Sequence, residues 1–344
     1  MPKLGQTPLS VLDLSPVRAG GTMTYAFARK LDLARHVERL GFNRFWLAEH
    51  HNMPGIASSA TAVLIGHVAG ATSRIRVGSG GVMLPNHAPI VIAEQFGTLE
   101  ALYPGRIDLG LGRAPGTDPL TTRALRRDLA DDDNAFPKNV QELLALLAPA
   151  GENQKVRAVP GAGSNVPVWL LGSSTFSAQL SALLGLPFAF ASHFAPQRLM
   201  EAIEVHRHYF RPSEYLEKPY IMVGLPVVAA DSDERAQYLA TTQHQRLVNL
   251  VRGKPTVLLP PVESMDGLWD EREEAYVRSH LGVAAIGGPE TVRRHLERML
   301  AETGADELIV TSDFYDHADR LRSFDILAEL KAADATVEPV RAAG

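Results

Sequence analysis

The chain has 344 residues and no cysteine. That removes disulfides, thiolate nucleophiles and cysteine-ligated metals from what it can do. It has no run of about 20 apolar residues, so no membrane-spanning helix is expected. Its first seven residues lack the apolar core of a signal peptide, which makes a cytoplasmic location the expectation. Positive charge is not in excess: 34 Lys and Arg stand against 39 Asp and Glu, a formal net charge of −5. A nucleic-acid-binding surface is therefore not expected. No G-x-G-x-x-G follows a strand-like run, so there is no dinucleotide-binding turn. What the chain has is 45% hydrophobic residues, enough for a sizeable core.

Those residues alternate between short apolar runs and longer amphipathic ones. Strands are expected at 9–14, 44–48, 75–79, 107–111, 168–171, 188–191, 220–228 and 307–311. Helical spacing follows each, at 25–40, 59–71, 90–102, 137–147, 175–184, 196–210, 232–247 and 318–330. Eight strand–helix units in one order predict a closed α/β barrel, (β/α)8, rather than an open sheet. Two segments interrupt the rhythm. Residues 114–136 carry Asp131-Asp132-Asp133, and residues 250–285 carry Pro255, Pro260 and Pro261. They follow strands four and seven, where inserts cover an active site. One domain over 1–333 with a frayed tail at 334–344 is the expected organisation.

The strand exits hold the chemistry-bearing residues, as barrels require. Gly172-Ser173-Ser174-Thr175 lies between a strand and a helix, a geometry that aims backbone N–H groups and hydroxyls at a phosphate monoester. A plain helix N-cap is the competing reading. Arg113 leaves strand four among small residues and can fork a phosphate, or pair with Asp118. Glu49-His50-His51 leaves strand two and offers acid/base groups. Adjacent imidazoles on an extended strand face opposite ways, and no third ligand has metal spacing, so a metal site is not expected. Gly80-Gly81 ends strand three, where two glycines point to a backbone shape that a Cβ would forbid. Trp46 and Trp169 sit inside strands and read as core.

The stretch 74–118 combines Leu84-Pro85-Asn86-His87-Ala88-Pro89, Ala93-Glu94-Gln95, Pro104-Gly105-Arg106 and Leu109-Gly110-Leu111-Gly112-Arg113-Ala114. With Trp46-Leu47-Ala48-Glu49-His50-His51, 169–174 and 188–194 in the same order, it resembles the bacterial luciferase-like flavin monooxygenases, and the resemblance covers most of 9–330. It is nearest the single-chain "luciferase family oxidoreductase" branch. The resemblance implies reduced FMN supplied by a separate flavin reductase, O2, a small organic substrate, and a homodimer formed through the helices flanking strands two and three. It implies that Ser173 and Ser174, with Gly172, hold the flavin phosphate from one side and Arg113 from the other. Gly80–Gly81 would be a non-prolyl cis peptide against the flavin ring, and Asn86 a hydrogen-bonding partner of that ring. His50 would be the proton-handling catalytic residue, with Glu49 beside it as a second catalytic or bracing group. Met83, His193 and Phe194 would wall the substrate cavity. Relatives of this fold also use the deazaflavin F420 for hydride transfer. That, or a non-catalytic flavin-binding protein, is the alternative.

Overall fold

Runs of Val, Ile, Leu and Phe buried on both faces make parallel strands, and amphipathic segments between them make the helices that cover them. The computed structural model describes residues 2–114, 116–125 and 135–335. The Asp131-Asp132-Asp133 run and all but the first two residues of the expected tail lie outside those residues. The strands are β1 (Leu9–Asp13), β2 (Arg44–Leu47), β3 (Arg76–Met83), β4 (Ile107–Gly112), β5 (Val168–Gly172), β6 (Phe188–Ala191), β7 (Ile221–Ala229), β8 (Ala285–Gly287) and β9 (Glu307–Thr311). The helices are α1 (Met23–Arg39), α2 (Thr61–Ala69), α3 (Pro89–Leu102), α4 (Pro119–Leu125), α5 (Ala135–Leu147), α6 (Thr175–Leu183), α7 (Leu199–Tyr209), α8 (Asp233–Val251), α9 (Glu271–His280), α10 (Pro289–Thr303) and α11 (His317–Ala335). None of the described helices is long and apolar enough to cross a membrane.

Eight parallel strands close in the order β1-β2-β3-β4-β5-β6-β7-β9, with β9 pairing back onto β1. This is the expected (β/α)8 barrel. Three details depart from the sequence reading. The strand expected to stop at Ser79 runs on to Met83. The segment 250–285 carries α9, and the unassigned stretch after it folds as α10. β8 is an extra short strand on the far end of β7, pairing Ala285–Gly287 with Val227–Ala229 outside the barrel.

Side chains inside the barrel form two layers. At the strand starts, Arg44 bonds Asp108 (2.6 Å) and Glu307 (3.2 Å), and Arg76 bonds Asp108 (2.7 Å). Both carboxylates are fully buried, so the charges are matched within the plug. Above it lie Leu12, Trp46, Trp169, Met222 and Ile309. The two indoles meet edge to face at 5.1 Å, and Trp46 Nε1 donates to Asp108 at 3.1 Å. Trp46 and Trp169 are thus core, as expected, and Trp46 is also the floor of the site above it. The lower end is plugged. The open end is the one the strands point to.

Candidate functional site

The site begins with a register slip. β3 pairs Ser79 with Leu109 and then Val82 with Leu111, so it spends one residue more than β4 over the same distance. Gly80 and Gly81 form this bulge, and the peptide bond between them is cis. A Cβ on Gly81 would stand 2.8 Å from the Gly110 carbonyl oxygen, backbone that cannot give, and one on Gly80 would stand 2.6 Å from Leu12 Cδ1 and force that side chain to move. Bare backbone therefore faces a cavity that encloses about 960 Å³ including its mouth, the usual size of a small-molecule site.

On one side of that cavity β5 runs into α6. Ser174 occupies the N-cap with extended backbone (φ −144°, ψ 167°), but its hydroxyl makes no capping bond. The first N–H groups of α6 are left without a side-chain cap and, with the helix dipole, favour an anion there. Gly172, Ser173 and Ser174 line the cavity at this point. Arg113 enters from the end of β4, its guanidinium carbon 4.4 Å from the centroid of the Phe176 ring. It forms no ion pair with a described acidic residue. Asp118, the alternative partner, instead accepts from Asn52 (3.1 Å) and Thr121 (2.6 Å).

His50 and Glu49 separate in space. His50 lines the cavity, its Nδ1 3.2 Å from the Gly116 carbonyl oxygen. Burial pushes its imidazole below the ordinary range, and the charge of Arg246 adds to that. Glu49 is buried, off the cavity wall, and spoken for: Oε1 meets His51 Nε2 (2.9 Å) and His87 Nε2 (2.8 Å), and Oε2 accepts from Met83 N (3.1 Å). Burial raises its carboxyl, but the bonds from His87, His51 and Met83 outweigh that and hold it below the usual carboxylate range. Glu49 pins the exits of β2 and β3 together and does not face the site. His87, read from sequence as a possible loop cap, is one of its partners.

Met83, His193 and Phe194 lie on the wall with His50, Arg113 and the serines. Burial drives the His193 imidazole down to about 3, and His280 and Arg246 add to the shift. Asn86 sits in a short 3-10 turn (Leu84–Asn86) and is not among the residues that line the cavity. Sequence reasoning missed Phe176, Gln243, Arg246 and His280. The last three come from α8 and α9, around the insert 250–285. That insert lies over the barrel mouth as expected of it. Leu258 exchanges backbone bonds with Val17 and Ala19 (both 2.8 Å). On α8, Thr241 Oγ1 accepts from Val262 N, while Thr242 Oγ1 and Gln245 Nε2 donate to Leu259 O and Pro260 O. No group of three or more His, Asp or Glu among the described residues is placed to hold a metal ion.

Fold and site together define an α/β-barrel protein whose ligand cavity opens at the carboxyl ends of the strands. The chain belongs to the luciferase-like monooxygenase family, whose model matches residues 7–307. It is 52% identical to a luciferase-like monooxygenase of Escherichia coli (strain K12), over 94% of this chain and 96% of that one. It is 31% identical to the N-acetyl-S-alkylcysteine monooxygenase of Bacillus subtilis (strain 168), over 93% and 97%. Among solved structures, apo-MsnO8 is similar at a TM-score of 0.84 and 35% identity, over 94% of this chain and 98% of that one. Two more distant structures share the fold alone. One is the FMN complex of the oxygenating constituent of 3,6-diketocamphane monooxygenase from Pseudomonas putida (TM-score 0.70, 17%). The other is an F420-dependent secondary alcohol dehydrogenase (0.69, 14%).

Proposed function

We propose that the protein is an FMN-dependent monooxygenase that takes reduced FMN from a separate reductase and uses O2 to oxidise a small organic molecule. One observation carries this reading. The uncapped start of α6 with Ser173 and Ser174, the opposing Arg113, the bare Gly80–Gly81 backbone and His50 all line a single cavity. The residues fit the group. Serine hydroxyls, helix N–H groups and a stacked guanidinium suit a phosphate monoester. A strip where a Cβ has no room suits the close approach of a flat ring. Reduced FMN, when bound, would supply the electrons that activate O2. The chain would anchor the phosphate with Arg113 and α6, exclude water with the insert over the mouth, and hold a neutral imidazole at His50 beside the reacting centre.

FMN is preferred to F420 because the relatives at 52% and 31% identity are named monooxygenases, whereas the F420 enzyme is similar in fold alone. The test is to titrate the protein with FMN and with F420, then mix the complex of reduced FMN with O2 by rapid mixing. Tight FMN binding and substrate-dependent suppression of peroxide release are expected. Hydride transfer with F420, or peroxide release with every compound tried, would replace this reading with one of its alternatives.

A further inference from the structure

We infer that the substrate is an organic carboxylate, held by Arg246 in a side chamber off the proposed flavin cavity. The inference rests on the flavin reading for which end of the substrate reacts, and on the residues of α8 for the rest. Gln243, Arg246, Leu247 and Leu250 stand at helical spacings of three, four and seven, and all four line this chamber. The chamber shares Leu12, Leu14, His193 and Phe194 with the main cavity, so a molecule seated in one reaches the other. A third recess, beside His50, also has Arg246 and Phe194 in its wall. Arg246 thus lies in the wall of both side spaces, and the chamber reaches the main cavity through the walls they share.

The side chain of Arg246 pairs through Nη1 with Asp313, and it makes no other hydrogen bond among the described residues. It keeps 28% of its side-chain surface exposed, against 12% for Asp313. A guanidinium has five N–H donors in a rigid fork, so most of its donors remain for a ligand. Gln243 is 8% exposed, and its buried Oε1 has no partner. That oxygen accepts, so it calls for a donor on the ligand or a water and not for the carboxylate itself, which leaves Arg246 as the carboxylate's partner. Two of the walls, Leu14 and Phe194, are apolar, so an anion arriving there sheds water and meets the fork directly. The neighbouring histidines do not compete for the role of cation. His50, His193 and His280 all lie below the ordinary imidazole range, burial being the larger cause and Arg246 a further one. Arg320, on the same chamber, is already committed to the buried Asp13 at 2.7 Å. Arg246 is the cation that remains available to a ligand among the described residues of the chamber.

Calorimetric titration of the FMN-loaded protein with hexanoate and with methyl hexanoate tests this. Wild type should bind the acid at least tenfold more tightly than the ester. Arg246→Gln should erase that preference, and Arg246→Lys should keep part of it. Asp313→Asn, which frees the fork, should keep or increase it, and this guards against mere misfolding of the Gln variant. FMN affinity should stay the same throughout. Equal binding of acid and ester by wild type, no binding of either, or a preference that survives Arg246→Gln would overturn the inference. The same titrations on protein without added FMN keep the two readings apart: a preference for acid in protein that does not bind FMN would sink the flavin reading alone.

Discussion

At Glu49 two imidazoles and a backbone amide converge on one buried carboxylate, while the next residue, His50, turns its ring to the cavity. Alternation along an extended chain produces this division. For Glu49 the division is not legible in the sequence, because its partner His87 is 38 residues away and no local spacing links them. His50→Ala is expected to leave FMN affinity unchanged and to lower oxygenation by roughly 10²- to 10⁴-fold, the usual contribution of a positioned acid/base group. Stopped-flow spectra and peroxide assays check this, and a wild-type rate would exclude His50 from the chemistry. Burial holds its imidazole below the ordinary range. Activity should therefore fall on the acid side with a midpoint below that of an ordinary imidazole, and a pH–rate profile should lose that limb in a His50 variant. Arg113→Ala should weaken FMN roughly 10- to 100-fold, as the loss of about 1.5–3 kcal/mol from a charge-assisted bond predicts. Fluorescence titration measures it, and an unchanged dissociation constant would move the phosphate elsewhere.

Among the elements, β3 shows a cue that is legible in part. The resemblance implies a cis peptide at Gly80–Gly81, and the structure has one there, whereas the strand's continuation to Met83 is hidden because two glycines read locally as a strand end. The Cβ of Gly81→Ala would press on the Gly110 carbonyl at 2.8 Å, so β3 and β4 would have to part. We expect a loss of roughly 1–3 kcal/mol, typical of overpacking, together with weaker FMN binding. Thermal melts that match wild type would show that the bulge has slack. The eight barrel strands were readable because each is a short apolar run between turn residues. α9 was not, since Val277 is its one buried residue and no apolar period exists, although Asp270 and Glu273 form a capping box that marks its start. α10 carries its own signal in the sequence, Pro289 at its start and Val292, Leu296, Met299 and Leu300 on one face. The carboxylate-binding face of α8 lay hidden for a different reason. Gln243 and Arg246 look like solvated positions until the insert is laid beside them.

For the molecule as a whole, buried histidines set the response to acid. Burial brings His206 and His244 down to about 4, and His193 to about 3. In the unfolded chain these groups titrate near 6.5. The unfolded state therefore binds more protons as pH falls from 6.5 towards 4, and stability is lost across that window while it is fully present above it. His206, fully buried against Phe188, should account for about 3 kcal/mol of that loss by pH 4, an order-of-magnitude figure. Urea midpoints measured between pH 7 and 4.5 should decline, and a flat profile would show that the histidines are solvated. A homodimer is expected through α2 and α3, which leave Val63, Val91 and Leu102 at 71, 42 and 62% exposure. Light scattering should give twice the chain mass, and Val63→Asp should halve it. A wild-type monomer at micromolar concentration would exclude the dimer.

The helix α8 faces two ways within fewer than two turns. Thr241, Thr242 and Gln245 hold the insert, while Gln243 and Arg246 look into the chamber. A heritable change that retunes the chamber acts one residue away from the clasp of the roof, and the reverse is equally true. Selectivity and closure in this lineage are therefore expected to change together, and a mutant library that randomises either face alone samples half of a linked trait.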